Sequence, residues 1–266
     1  MPIFSICQFE WSRLFLTKRG WLSIAAFALI WAVILVTVVA PAARVVTSEL
    51  SGLASVALDS LGLQHLSNWA SVEVALYWVI CLYLLPLFSI TIAADQTASD
   101  KTRGTLRFLA LRTTRSQIFF GRFLGQFTIQ ILLVAVTLLS VLLLVGYYGA
   151  DKLNGALQST PVVFVNLLLV LMPYVALMAL LSLLARSARQ ATLFAIVAWT
   201  IISIAISFIQ SRYGPLPILD WVLPGSQIGN LLRLDGWDTL TLAPVPLLHT
   251  AILLFAGWLA MRRIDL

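Results

Sequence analysis

Six long apolar runs, separated by polar segments, set the hydropathy pattern of this chain of 266 residues. Each run is about as long as the roughly 20 residues that an α-helix needs to cross a bilayer, except the third, which is longer. The pattern therefore predicts an all-α membrane protein, with a single transmembrane domain that takes in residues 1–266. The six spans are predicted at residues 21–40, 72–94, 119–148, 161–185, 191–210 and 245–261.

Two polar segments outside the spans have the pattern of surface helices. Residues 2–19 mix aromatic side chains with charged ones such as Glu10 and Arg13, which is typical of an amphipathic helix in the membrane interface. A helical extension of the first span is the alternative. Residues 48–63 carry leucine and alanine at helical spacing, so a second short helix is expected on the outer surface.

The segment before the last span is rich in proline and glycine. Within Arg212–Thr241, the apolar piece Ile218–Leu223 is too short to cross a bilayer. The segment is therefore predicted to form a broken, partly buried excursion on the outer side. We expect Trp221 and Trp237 to anchor it at the interface.

The composition agrees with a membrane bundle, since 61% of the residues are hydrophobic and the mean hydropathy is +0.98. The formal net charge of +6 would suggest a nucleic-acid partner in a soluble protein, but here the basic residues segregate by loop. The predicted outer segments hold four of the 17 Lys and Arg residues, namely Arg44, Lys152, Arg212 and Arg233. The positive-inside rule therefore predicts that both termini are cytoplasmic, and no nucleic acid is expected as a partner.

The sequence holds little that points to catalysis or to a metal site. The cysteines Cys7 and Cys81 have no metal-binding spacing, and HExxH, GxSxG and GxxxxGK[ST] are all absent. The spans are almost free of ionisable residues, which weighs against ion-coupled transport; Glu73 and His249 fall near their outer ends. No catalytic, cofactor-binding or metal-binding residue is therefore predicted. An intramembrane enzyme stays open as a third hypothesis, with the outer acids Asp220, Asp235 and Asp238 as its candidate groups.

Amide and hydroxyl side chains supply the polarity within the spans. Three amides form a candidate substrate path: Gln126, Gln130 and Asn166. Hydrogen bonds between helices explain such residues equally well, so both interpretations stay open.

The polar interruption with the strongest charge bias runs from Asp95 to Arg122. Its basic residues are Lys101, Arg103, Arg107, Arg112, Arg115 and Arg122, against the acidic Asp95 and Asp100. Apolar residues such as Leu106 and Phe108 lie among the arginines, so a short amphipathic helix is predicted on the inner membrane surface. A helix of this kind can offer a face to a cytoplasmic partner.

Within this stretch, the run from Lys101 to Arg122 reads KTRGTLRFLALRTTRSQIFFGR. It resembles the first inner loop of bacterial type-2 ATP-binding-cassette permeases, in which an acidic residue precedes Gly-Thr-Leu and a Gly-Lys pair opens the next helix. Here Asp100 stands where glutamate is usual, Arg122 replaces the lysine, and Arg112-Thr113-Thr114 replaces a turn that commonly contains proline. The layout is similar to that of the small six-span permeases, including those of the copper-enzyme maturation type that assist nitrous-oxide reductase.

The resemblance implies a permease subunit of an ATP-driven exporter in a bacterial inner membrane. Its partners would be a dimer of separate cytoplasmic P-loop ATPase chains, a second permease copy or a sister permease, the lipid bilayer and, as an open alternative, a periplasmic protein. ATP and magnesium would bind to the ATPase chains, and this chain would need no cofactor of its own. The resemblance leaves the substrate undefined.

The resemblance also assigns an ATPase-coupling surface to the inner-loop helix, at about Thr102–Leu111, and to the N-terminal helix. The residues assigned to it are Thr102, Arg103, Gly104, Thr105, Leu106, Arg107, Phe108, Leu109 and Leu111, with Glu10 and Arg13. Replacing Leu106 and Leu109 with aspartate is expected to abolish ATPase association while membrane insertion stays normal. A membrane scaffold that transports nothing, in which the loop only sets topology, is the main alternative.

Overall fold

The computed structural model describes residues 2–41, 66, 68–149 and 152–264. The α-helices in this part of the chain are α1 (Pro2–Phe15), α2 (Lys18–Ile34), α3 (Val72–Ile92), α4 (Ala98–Thr102), α5 (Thr105–Ala110), α6 (Arg115–Tyr148), α7 (Leu153–Leu184), α8 (Ala188–Tyr213), α9 (Ile228–Leu231) and α10 (Pro244–Arg263). A π-helical turn at Leu35–Val39 extends α2. Short 3-10 segments lie at Ala93–Asp95 after α3, at Leu219–Trp221 between α8 and α9, and at Gly236–Leu242 before α10. The outer helix predicted at 48–63 lies outside the described residues.

Among the described residues, six helical segments are long and apolar enough to cross a membrane. They are Gly20–Val39, Val72–Thr102, Arg115–Tyr148, Leu153–Leu184, Ala188–Tyr213 and Gly236–Arg263. The part of the chain that the structure describes contains no β-strand. The predicted all-α membrane class and its six spans are therefore confirmed.

The starts of four spans follow from short polar caps in the sequence. The side chains of Thr17, Ser71, Thr114 and Ser187 each accept a hydrogen bond from a backbone N–H in the first turn of α2, α3, α6 and α8. At Thr114 the cap is reciprocal, because the backbone N–H of Thr114 donates to the side chain of Gln117. These caps satisfy N–H groups that have no partner within the helix itself.

Helix α7 forms the centre of the bundle and packs against α3, α6, α8 and α10. In its most apolar stretch 61% of the residues are buried, whereas in α8 the corresponding share is 6%. The largest core cluster joins α7 to α2 and α3 through side chains such as Leu171, Trp31 and Trp78. Helix α8 therefore lies at the edge of the bundle, with an apolar surface left for lipid or another protein.

The inner loop differs from its prediction as a single helix at about Thr102–Leu111. It forms two short helices, α4 and α5, and the break falls at Gly104, whose φ of 72° lies in the left-handed region. Glycine adopts this conformation without the steric cost that a side chain imposes. The second helix is therefore shorter than predicted, since it begins at Thr105 and ends at Ala110.

The fourth span also begins earlier than predicted. Helix α7 starts at Leu153 rather than at residue 161, and Pro161 lies inside it together with Pro173. Next to its start, the Lys152 ammonium lies 3.6 Å from a carboxylate oxygen of Glu73, in the first turn of α3. The predicted loop of residues 149–160 is therefore mostly helical among the described residues.

The segment between α8 and α10 consists of two 3-10 segments and the single-turn helix α9. It packs onto the bundle through the buried Ile228 and Leu231. The Tyr174 hydroxyl of α7 donates to the carbonyl of Pro224, and a ring nitrogen of His249 in α10 lies 2.8 Å from the carbonyl oxygen of Trp221. The interfacial position expected for Trp221 and Trp237 stays a prediction.

Candidate coupling surface and inner cavity

The N-terminal helix α1 lies directly against the start of α6. Two glycines of α6, Gly121 and Gly125, let the helices approach closely. A Cβ atom at Gly121 would lie 3.0 Å from Cβ of Ile6, and one at Gly125 would lie 2.9 Å from Cβ of Glu10. The spacing is that of a GxxxG helix-packing motif. One turn further along α6, the indole N–H of Trp11 donates to the hydroxyl of Thr128 at 2.8 Å.

A buried ionic cluster joins α1, α4 and α6, with the guanidinium of Arg122 at its centre. Arg122 is 1% exposed; it forms an ion pair and hydrogen bond with Asp100 and donates to the carbonyl of Gln96. Its Nη1 also lies 3.6 Å from Oε1 of Glu10. The second carboxylate oxygen of Glu10 accepts a hydrogen bond from Gln126 at 2.8 Å. One cation therefore connects α4 and α6 to α1, which lies about 100 residues earlier in the chain.

Glu10 is the most deeply buried carboxylate of this cluster. Desolvation by burial raises the pKa of Glu10 above its usual range, and the nearby positive charge of Arg122 opposes that effect only in part. The carboxyl group therefore holds its proton to a higher pH than an exposed glutamate does.

A second ion pair fixes the end of α1 to the end of the second span. Arg13 pairs with the carboxylate of Asp95 and donates to the backbone carbonyl of the same residue at 2.8 Å. The Asp95 side chain also accepts a hydrogen bond from the backbone N–H of Ser99 in α4. Movement of α4 is therefore linked to α1 through Asp95 as well as through Arg122.

Helix α5 has one buried face and one exposed face. Leu106 is 2% exposed and lies in a core cluster with Ile6 of α1 and Phe119 of α6. Phe108 and Leu111 point the other way, with 72% and 82% of their surface exposed. The neighbouring Arg103, Arg107 and Arg112 are exposed too. This surface, which we call the coupling surface, is apolar at its centre and basic around it.

Hydrogen bonds hold α4 and α5 to the rest of the chain. The hydroxyl of Thr102 donates to the carbonyl of Arg186 at 2.6 Å, and Lys101 donates to the carbonyl of Leu183 at 2.9 Å. The hydroxyl of Thr105 lies 3.1 Å from Oδ1 of Asp100. The hydrogen bond from Thr105 to Asp100 therefore joins the start of α5 to the buried Arg122 cluster.

The residues assigned to the coupling surface divide into three groups. Thr102, Arg103, Thr105, Arg107, Phe108 and Leu111 are exposed on the inner loop. Gly104, Leu109 and Arg13 are half-buried. Two assignments need correction, because Glu10 is 1% exposed and Leu106 is 2% exposed, so neither side chain can face a partner. Their burial could not be read from the charge pattern, since Glu10 packs on residues more than 110 positions away.

The three amides of the candidate substrate path do not share one environment. Asn166 is buried and donates to the hydroxyl of Thr239 in the segment between α8 and α10, which favours a structural role. Gln126 bonds Glu10 through its nitrogen, while its oxygen accepts no hydrogen bond from the described residues. Gln130 is fully buried, and neither of its amide atoms has a hydrogen-bond partner in the described part of the chain. The path itself stays a prediction.

An inner cavity of about 630 Å³ opens between α1, α2 and α3, beside the Arg122 cluster. One wall is apolar and includes Phe27, Phe88 and Ile92. The opposite wall is polar and includes Glu10, Arg13, Asp95, Asp100, Arg103 and Gln126. The cavity therefore has one apolar wall and one charged wall.

A second cavity, of about 480 Å³, lies between α3, α7 and α8. Its lining is mostly apolar and includes Leu87, Leu177 and Trp199. The lining residues that carry a hydroxyl are Tyr83, Tyr174 and Thr200. It lies on the side of the bundle where α8 is left uncovered.

The sequence carried two signals that point to this site. The pair Gly121 and Gly125 has the spacing of a close helix contact, and Arg122 between them is an arginine at the start of a span. Together they indicate a helix packed on α6 with an acidic partner for Arg122. The sequence alone does not identify Glu10 and Asp100 as the acidic partners of Arg122.

Comparison with protein families gives one match. The model described as "ABC-2 family transporter protein" matches residues 4–232, from α1 to just beyond α9. No curated protein matches the chain.

Proposed function

The chain belongs to the ABC-2 transporter family, and from this premise we propose that it is the membrane-spanning half of an ATP-driven exporter. Members of the family are multi-pass membrane permease components of ABC transporters, and they are not catalytic themselves. The finer proposal is that separate cytoplasmic ATPase chains bind ATP and magnesium, and that two permease copies assemble in a bacterial inner membrane with their termini in the cytoplasm.

The observation that carries this proposal is the coupling surface on α5. Phe108 and Leu111 expose apolar side chains among arginines, on an inner-loop helix whose other face is anchored in the core. Burying an apolar side chain of this size contributes about 1.5–3 kcal/mol. Aromatic residues, phenylalanine among them, and arginine are both enriched at protein interfaces.

Transmission of movement would run from α5 into the bundle through the Arg122 cluster. Thr105 of α5 bonds Asp100, Asp100 pairs with Arg122 of α6, and Arg122 lies beside Glu10 of α1. A displacement of α5 by a closing ATPase dimer would therefore reach the inner ends of the second and third spans together. Rocking of one permease copy against the other is the change that such a displacement would drive.

The test is co-purification of the tagged chain from its native membrane in mild detergent. The wild-type chain should retain a stoichiometric P-loop ATPase. Replacing both Phe108 and Leu111 with aspartate removes about 3–6 kcal/mol of apolar burial at the contact, which lowers the affinity by more than about 100-fold. The matched control is Ile218→Asp, because Ile218 is 81% exposed but lies in the outer segment.

Leu106→Asp separates binding from folding. Because Leu106 is in the chain's own core, this variant should lose folded protein as well as ATPase, whereas the Phe108/Leu111 variant should lose only the ATPase. Retention of the ATPase by a folded Phe108/Leu111 variant would contradict the coupling surface. Reproducible absence of any ATPase from the wild-type preparation would favour a membrane scaffold instead.

A further inference from the structure

We propose that the ATPase partner presents an acidic surface to a strip of exposed arginines drawn from three separate parts of this chain. The arginine strip consists of Arg103, Arg107 and Arg112 of the inner loop, Arg186 and Arg189 at the junction of α7 and α8, and Arg263 at the end of α10. This inference rests on the proposed function, which supplies the ATPase. It adds the charge of the partner and two points of contact outside α5.

Hydrogen bonds place the junction of α7 and α8 beside the inner loop. The hydroxyl of Thr102, the last residue of α4, donates to the carbonyl of Arg186 at 2.6 Å. The ammonium of Lys101 donates to the carbonyl of Leu183 at 2.9 Å. Arg186 and Arg189 are both exposed, so they extend the basic surface of the inner loop at α4.

The end of α10 adjoins the inner loop at the point where the loop enters α6. The guanidinium of Arg115, the first residue of α6, donates to the carbonyl of Arg262 at 3.0 Å and to that of Ile264 at 2.6 Å. Arg263 lies between these two residues in the sequence and is exposed. It therefore extends the basic surface at the other end of the loop.

The arginine strip has no counter-charge within the described part of the chain. All six side chains are exposed, and none of them forms an ion pair or hydrogen bond with a described residue. The nearby carboxylates are engaged elsewhere, because Asp95 pairs with Arg13 and Asp100 pairs with the buried Arg122. Glu10 is buried beside Arg122 as well. A facing surface of negative charge would therefore relieve the repulsion among the six cations.

The length of α6 favours a protein over lipid headgroups as the source of that negative charge. Helix α6 has 34 residues, which at 1.5 Å per residue is about 51 Å, whereas the hydrocarbon core of a bilayer is about 30 Å thick. Tyr147 and Tyr148 end the helix, and tyrosine is typical of the membrane interface, so the extra length lies at the Arg115 end.

That end of α6 extends roughly 20 Å beyond the hydrocarbon core, and an average tilt of about 20° shortens this by only about 3 Å. The headgroup layer on each side is about 5–8 Å thick. The part of the arginine strip next to Arg115 therefore lies beyond the headgroups, where a cytoplasmic protein can reach it.

The chemistry of the strip suits carboxylates on that protein. A guanidinium binds a carboxylate through two parallel hydrogen bonds. Phe108 and Leu111 are exposed among the arginines, with 72% and 82% of their surface accessible. The complementary surface on the ATPase is therefore acidic around an apolar centre.

The experiment uses the full chain in nanodiscs of phosphatidylcholine, which has no net charge, and the ATPase that co-purifies with the wild-type chain. Their affinity is measured at about 50 mM and about 500 mM salt, between which screening removes most long-range charge interaction. The test variants change Arg186 and Arg189 together, to glutamine to remove the charge and to glutamate to reverse it. The matched controls make the same changes at Arg212 and Arg233, which are exposed but belong to the predicted outer segment. All variants are compared as monodisperse protein.

The glutamine pair at Arg186 and Arg189 should weaken binding about 2- to 30-fold at low salt, the range for two exposed ion pairs. The glutamate pair should weaken it further, because an acidic surface repels it. Both effects should shrink at high salt, while the controls bind like wild type.

Three outcomes would overturn the acidic contact. They are glutamate variants that bind as tightly as glutamine variants, test variants that bind as tightly as their controls, and an effect that appears only in nanodiscs with phosphatidylglycerol. The last would assign the arginines to anionic lipid. Each leaves the ATPase bound to the wild-type chain, so the proposed function would stand, whereas a wild-type chain that retains no ATPase would overturn both.

Discussion

Replacing Arg122 with methionine is expected to destabilise the end of the bundle at which α1, α4 and the start of α6 meet. The guanidinium is 1% exposed and pairs with Asp100, while Glu10 lies beside it. Methionine fills much of the same volume but leaves both carboxyl groups without their cation. Removal of one partner from a buried ion pair typically costs about 3–5 kcal/mol.

The lower end of this range applies here, for two reasons. Glu10 can avoid part of the cost by keeping its proton, because burial already raises its pKa. The Asp100 side chain is 17% exposed, so water can reach it in part. A loss of about 3 kcal/mol corresponds to a fall in melting temperature of about 6–12 °C for a chain of this size.

The assay heats purified chain in detergent and measures the fraction that stays monodisperse on size-exclusion chromatography. Arg112→Met is the matched control, because Arg112 is an exposed arginine of the same loop. The triple variant Glu10→Gln, Asp100→Asn, Arg122→Met removes the stranded acids and should recover part of the loss. The reasoning would be refuted if Arg122→Met melted with the control, or if the triple variant were no more stable than the single one.

Two further predictions concern the same end of the bundle. Gly20→Ala should destabilise the α1–α2 connection, because a Cβ atom there would lie 1.9 Å from the carbonyl oxygen of Leu14. Its control is Gly146→Ala, where no atom of the described residues lies within 4 Å of the added Cβ, and this variant should melt like wild type in the same heating assay. The stability of the wild-type chain should fall as pH rises through the interval between the unfolded and the folded pKa of Glu10, because the native state holds a proton there that the unfolded chain releases. Glu10→Gln should lack this fall, and equal pH dependence of the two proteins would contradict it.

The spans could be predicted from the sequence because hydropathy and length are local properties. A run of about 20 apolar residues identifies a membrane helix without reference to its neighbours. Helix caps such as Thr114 with Gln117 are local as well, since the two residues are three positions apart. The start of α7 was missed because residues 153–160 are polar enough to resemble a loop, and their helix depends on packing.

The inner-loop helix illustrates the limit of pattern reasoning. The interleaved leucines and arginines predicted one amphipathic helix, whereas the structure has two short helices there, α4 and α5. The pattern did not say which apolar residues pack into the chain's own core. Leu106 packs into the core, whereas Phe108 and Leu111 remain outside. That division depends on where α1, α6 and α10 place their side chains, which is tertiary information.

The position of α1 has a consequence for the order of events during synthesis. Glu10 and its hydrogen-bond partner Gln126 are 116 residues apart, so α1 leaves the ribosome long before the glycines and the arginine against which it packs. At about 5–20 residues per second this interval is on the order of ten seconds. During this interval, neither Gln126 nor Arg122 has been synthesised, so Glu10 lacks both partners. Helix α1 can pack in its final position only after the third span has been made. A nascent chain halted before residue 121 should therefore hold α1 open to protease or to thiol labelling at Cys7, and one halted well after the third span should protect it.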